Sequence, residues 1–223
     1  MKKKTKKIIL LLVIILILMI KTAQINLIIN IKNKIEVFEG LENTYYEASG
    51  NFENFKMNTN RLYKNNLLIE KLDVLPTGNK IIRIIDFNEN KEINIDENSN
   101  TYETKADINN IDIKLKNLPK IIKFNNEMFE DIGNLKIYSL LNYFKIMYVI
   151  PVKYNNIACY KIKTTREILY IDRNTLYPIY SEYKKDKSYN GDKSIIKVNY
   201  IFEENTKREN SFDLNALEKY SLK

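Results

Sequence analysis

The chain has 223 residues, with 36 Lys and Arg against 28 Asp and Glu, one cysteine, and neither histidine nor tryptophan. Lack of histidine excludes Ser-His-Asp and Cys-His nucleophile systems and imidazole-based zinc sites, and one cysteine cannot close an internal disulfide. The formal charge of +8 sits at the start: setting aside Lys2, Lys3, Lys4, Lys6, Lys7 and Lys21 leaves 30 basic residues against 28 acidic ones, so no nucleic-acid partner is expected of the remainder.

In chain order, the lysine cluster is followed by Ile8 to Ile20, a wholly apolar run. Its length suits a signal-peptide core and is short for a full membrane span. Cleavage would place Lys21-Thr22-Ala23 before the cut, a poor site because Lys21 stands where a small residue is wanted. An uncleaved signal anchor extends instead through Ile25, Leu27, Ile28, Ile29 and Ile31, with Lys21 snorkelling to the interface. The expectation is therefore a single-pass cell-membrane protein, held through residues 8–20, with its C-terminal domain outside the cytoplasm; secretion after cleavage is the alternative. Residues 1–30 form the anchor and 31–223 the extracytoplasmic domain.

Ile31, Ile35, Phe38 and Leu41 recur at helical spacing and predict an amphipathic helix over residues 31–43, weakened at its end by Gly40. From Tyr45 the period becomes two. Alternating stretches in residues 45–64, 65–75, 80–87, 91–96 and 101–108 are separated by turn residues such as Pro76-Thr77-Gly78-Asn79 and Glu97-Asn98-Ser99-Asn100, the pattern of an antiparallel meander. Met128, Ile132, Leu135, Tyr138 and Leu141 predict a second helix near residues 128–147, closed by Pro151. Strands resume at residues 156–165, 167–173, 177–184 and 194–204, and the tail from Ser211 reads as a short helix or an extended edge. The fold class is α+β: a strongly curved antiparallel sheet, a half-open barrel, with helices on its concave side.

Two constellations imitate chemistry. Asp96, Asn98, Asn100 and Asp107 fall at calcium-loop spacing, but Thr101 replaces the required glycine and the flanks are strand-like, so a hairpin is expected. Ser194 and Lys197 match a Ser-x-x-Lys pair, which needs a helix; in an alternating run, positions three apart point to opposite sides. Cys159 lies in an alternating stretch and reads as a small buried hydrophobe. No catalytic, metal or cofactor residues are assigned.

Tyr46, Ala48 and Gly50 after a helix, then Tyr170-Ile171-Asp172, Asn174-Thr175 and Tyr177-Pro178-Ile179, with a following strand and Phe212, resemble the LolA/LolB-like lipoprotein-carrier superfamily that includes RseB-type sensors. The lysine-rich start resembles its germination-protein GerS-type branch, from which the chain departs in lacking a lipidated cysteine. The resemblance implies a non-enzymatic protein that binds a partner in the cell envelope or the spore-cortex machinery. Its alternatives are a lipid or lipoprotein carrier holding acyl chains in an apolar cavity and, from another class, a hydrolase with a carboxylate centre.

Overall fold

The computed structural model describes residues 2–51, 56–106, 146–164, 167–185, 194–208, 218 and 221–222. Helix α1 (Lys2–Gly40) opens the chain and passes the expected boundary between residues 30 and 31 without a break. The predicted anchor and the predicted amphipathic helix are thus one element. That helix ends three residues earlier than expected: Leu41 N–H donates to Phe38 O at 3.2 Å, Thr44 Oγ1 donates to Leu41 O at 2.9 Å, and Asn43 takes a left-handed φ of 58°. Gly40, which disfavours helix interiors, is its last residue.

Among the described residues twelve strands follow: β1 (Thr44–Asn51), β2 (Lys56–Lys64), β3 (Leu67–Leu75), β4 (Asn79–Asp86), β5 (Lys91–Asp96), β6 (Thr101–Ala106), β7 (Ile146–Tyr154), β8 (Ile157–Thr164), β9 (Glu167–Asp172), β10 (Pro178–Lys185), β11 (Ser194–Glu203) and β12 (Ser221–Leu222). They form one open sheet in the order β12-β6-β5-β4-β3-β2-β1-β11-β10-β9-β8-β7. Every pairing is antiparallel except that of β12, which lies parallel to β6 through Ser221 and Leu222. The tail therefore finishes as an extended edge. The α+β class with a large antiparallel sheet stands.

One strand was hidden in the sequence. Ile146 and Met147, expected at the end of the second helix, begin β7, and Pro151 sits inside that strand rather than terminating a helix. Proline within a sheet belongs on edge strands, and among the described residues β7 ends the sheet order. Residues 128–145 of the predicted helix lie outside the described residues.

Asparagine does at the turns what glycine does elsewhere. Among the described residues, nine non-glycine positions have positive φ, and all but Leu176 are Asn. Asn65-Asn66 and Asn155-Asn156 each close a two-residue hairpin, with φ of 55° and 57°, and 47° and 65°. Both central residues of a type I′ turn need positive φ, which Asn tolerates better than most residues.

The sheet buries different faces in its two halves. Ile28, Ile31, Ile35 and Phe38 of α1 pack on Tyr46, Ala48, Ile162, Leu169, Ile171, Ile196, Val198 and Tyr200, and cross-strand register puts these strand residues on one face. In β3–β5 a second cluster, Ile69, Ile82, Ile84, Ile93 and Ile95, occupies the opposite face. By contrast, Ile8 to Ile20 of the same helix α1 remain 44–65% exposed. This helix is long and apolar enough to cross a membrane.

Phe38 is 1% exposed and meets two aromatic rings edge-on, so truncating it removes a large buried volume. Phe38→Ala is expected to destabilise the full chain by about 3–5 kcal/mol, read by chemical denaturation in detergent micelles. Val37→Ala, at a position 55% exposed one residue earlier, should change stability by less than about 0.5 kcal/mol in the same measurement.

Candidate binding surfaces

The β9–β10 connection is built to deliver a tyrosine. Asp172 Oδ1 accepts from Asn174 N–H at 2.8 Å, Leu176 N–H donates to Asp172 O at 2.9 Å, and Asp172 N–H donates to Tyr177 O at 2.9 Å. Leu176 is held at φ 61°, an uncommon conformation for a bulky residue, while its side chain packs on the core. The loop sets Tyr177 parallel to Phe202 (centroids 4.7 Å, 4°) and edge-on to Phe38 (5.2 Å, 71°). The Tyr177 hydroxyl donates to Glu204 Oε1, which also accepts from Lys34 Nζ of α1 at 2.5 Å. Burial, then the bond to the Glu204 carboxylate, pushes the Tyr177 phenol above its usual range; Lys34 and Tyr177 hold Glu204 below the usual carboxylate range. The tyrosine-rich hairpin is therefore a clamp on the helix, an aromatic stack with an ionic lock.

A second grouping lies on the helix-bearing face as it continues across β2–β5. Arg61 pairs in register with Glu70 and Tyr46, and Glu70 with Arg83, so the three charges share that face. Arg83 Nε donates to Glu92 Oε1 at 2.9 Å, Arg83 Nη1 makes a longer contact of 3.5 Å to Glu70 Oε2, and Asn94 Nδ2 donates to Glu92 Oε1 at 3.1 Å. Arg61, Glu70 and Glu92 are each at most 6% exposed. Burial raises the Glu70 carboxyl, opposed by Arg83 and Arg61. Two cations and two carboxylates in one buried patch are arranged to satisfy each other, as buried charges require.

A third surface is the outward face of β7–β10. Tyr154 lies 4.5 Å from Tyr170 and stacks on Tyr180 (5.1 Å, 19°), with Tyr170 and Tyr180 at 5.8 Å. The Tyr180 hydroxyl donates to Glu182 Oε1 at 2.8 Å. Lys161 Nζ lies 5.5 Å from the Tyr170 centroid and Lys163 Nζ 5.8 Å from that of Tyr148. Hydrogen bonding to Tyr170 raises the Lys161 ammonium, while burial and the bond to Glu182 raise the Tyr180 phenol.

The positions singled out in the sequence take structural roles. Asp96 Oδ1 accepts from Asn98 N–H at 3.0 Å and Ser99 N–H at 3.4 Å, closing the β5–β6 hairpin, with Asn100 at φ 52°. Asp107 lies outside the described residues. Among the described residues no cluster of His, Cys, Asp or Glu could hold a metal ion. Ser194 and Lys197 are on strand β11, three residues apart. Cys159 is fully buried and burial raises its thiol, so it is an unreactive core residue. Of the charged network and the tyrosine cluster the sequence singled out Tyr170 alone, and as part of a motif, because each joins residues from strands that only the register brings together.

No family model matches the chain, and none of the curated proteins does. Among solved structures it is similar to an uncharacterized conserved protein from Thermus thermophilus, at 10% identity and a TM-score of 0.39, covering 86% of this chain and 96% of that one.

Removing the cation shared by Glu70 and Glu92 leaves two carboxylates buried together. Arg83→Met is expected to cost about 3–5 kcal/mol at neutral pH by chemical denaturation. The sign with pH follows from Glu70, whose pKa in the folded chain is raised: its ionisation opposes folding as pH rises through the unfolded value. Without Arg83 the raise grows, so part of the variant's deficit should disappear as pH falls toward about 4.5.

Proposed function

We propose that this chain is a membrane-tethered extracytoplasmic binding protein that works by holding a partner at the cell membrane rather than by turnover. The observation that carries this reading is the double life of α1. Its residues Ile8 to Ile20 are apolar and exposed, while Ile28, Ile31, Ile35 and Phe38, later in the same unbroken helix, are at most 5% exposed in the core. An exposed aliphatic rod has no favourable place in water, and the lysines before it fit the cytoplasmic side of a bilayer. Eight residues separate Ile20 from Ile28, about 12 Å of helix. That exceeds the roughly 5–8 Å of one headgroup layer by only a few ångströms, and the helix does not break there, so the domain stands close to the membrane with no flexible linker.

Fixed placement suits a module that meets a membrane-associated partner, because tethering raises local concentration. It suits a shuttling carrier poorly. The apolar residues beneath α1 also support binding over carriage: Ile162, Leu169 and Ile171 are fully buried under the helix, as in a packed core. The resemblance to LolA/LolB-like proteins supports a half-open barrel as the shape of the sheet, and its germination branch supports a partner in the envelope or the spore-cortex machinery.

Protease shaving of intact cells, with intact-mass analysis of the membrane fraction, tests the topology: the domain should be digested and the chain should retain residues 1–30. Native mass spectrometry of the gently extracted protein tests the role. A stoichiometric protein partner is expected. Full protection from an accessible protease, a mature chain lacking residues 1–23, or a stoichiometric acyl-chain ligand with no protein would overturn the reading. So would turnover of a peptidoglycan or ester substrate that one Asp or Glu substitution abolishes.

A further inference from the structure

We propose that the outward face of β7–β10 is the docking surface for a protein that presents acidic side chains around an apolar centre. The proposal rests on the tethered-binding reading and names the surface and the partner's chemistry.

The first argument is a broken pattern. In an antiparallel sheet with one buried face, the other face should be polar. Beneath α1 the buried face is well formed, with Ile162, Leu169 and Ile171 fully buried. The same strands carry Tyr148, Ile150, Tyr154, Ile157 and Tyr170 on the outward face, as the register from Tyr148↔Lys163 to Tyr170↔Lys161 requires. Ile150 is 43% exposed and Ile157 38%, so part of this apolar surface is accessible, while Cys159 and Tyr180 on the same face are buried. Tyrosine and aliphatic groups massed on the solvent side of a sheet mark an interaction site.

The second argument is charge. Lys161 and Lys163 stand in the middle of this face, each above a tyrosine ring. Two carboxylates share the face, and each already holds a donor: Glu182 accepts the Tyr180 hydroxyl and Asp172 Oδ1 accepts Asn174 N–H. A partner that complements the face must therefore bring carboxylates to two lysines and an apolar centre to the Tyr and Ile side chains. Aliphatic Ile150 and Ile157 add nothing to sugar stacking, which favours a protein over an anionic glycan.

Preorganisation is the third. Tyr154, Tyr170 and Tyr180 are held against one another at 4.5–5.8 Å, so little side-chain freedom remains to be lost on binding. The neighbouring edge is less suited to docking. Pro151 interrupts β7 and its register shifts between Ile146 and Tyr148, both features that discourage strand addition. The face, not the edge, is the usable surface.

The test places a photo-crosslinking residue at Ile157, on the face, and separately at Asn88, in the β4–β5 turn, of the full chain in its own cells. The expected result is one protein captured from position 157 and not from 88, identified by mass, then purified and titrated against the full chain in micelles. Lys161→Glu and, separately, Lys163→Glu should each weaken that complex about tenfold or more, and added salt should weaken it further. Lys163→Glu leaves the three stacked tyrosines untouched, and an unchanged melting curve certifies its fold. Unaltered affinity in Lys163→Glu would overturn the proposal. Capture of only lipid, glycan or a second copy of this chain at position 157 would also overturn it. A protein captured only from Asn88 would reject this face while leaving the tethered-binding reading intact, and no protein at either position would remove both.

Discussion

The structure hangs on the docking of one third of a helix. Ile28, Ile31, Ile35 and Phe38 recur every three or four residues, so they form a single stripe along α1, and that stripe is the only part of the helix that the sheet buries deeply among the described residues. Tyr177 and Phe202 close on Phe38, and Glu204 ties Tyr177 to Lys34 on the next turn of the helix. The ionic lock is partly exposed and contributes modestly; the aromatic stack supplies most of the hold, with direction as well as area. Because the helix does not break between Ile20 and Ile28, whatever fixes its N-terminal part also fixes the orientation of the sheet.

The sheet itself has two characters. Around β1 and β8–β11 the face toward α1 is a continuous apolar core. Around β3–β5 the isoleucine cluster moves to the opposite face, and the helix-bearing face carries Arg61, Glu70, Arg83 and Glu92 in a buried network. Such a network is a poor source of net stability compared with packed hydrocarbon, but it has a narrow set of allowed geometries. It therefore favours one register for four consecutive strands, in a region where the Ile-rich pattern of β4 alone would tolerate a slip.

Much of this was legible in the sequence, for physical reasons that can be named. Alternation with period two marked nine stretches that cover ten of the strands, β1 and β2 falling in one, and Asn- and Gly-containing turns separated others, since those residues accept the positive φ that tight hairpins need. The helix stripe was legible from Ile31, Ile35 and Phe38. Its continuity was legible in part, since the anchor was expected to extend through Ile31, but Ile28 and Ile31 were read as anchor residues and the sheet buries them in the core. Strand β7 was missed because Pro151 usually ends an element, and only the sheet order shows it on an edge. The charged network could have been suspected from Glu70, which interrupts the apolar run Leu67-Leu68-Ile69 inside a strand, but its partners lie 9 to 22 residues away in sequence and meet only through register. The outward tyrosines were visible as a composition, and their clustering on one face was not.

The account's central claim is that one rigid helix is both membrane anchor and core element. Cysteine substitution at each position from Lys21 to Val37, with maleimide labelling in native membranes, tests it directly, since Cys159 is fully buried and its thiol is raised by burial. The account predicts helical periodicity through residues 26–37, with Ile28, Ile31 and Ile35 protected and Asn33 and Val37 labelled. Uniform labelling across residues 21–31 would contradict it, because it would place a flexible linker where the structure has a continuous rod.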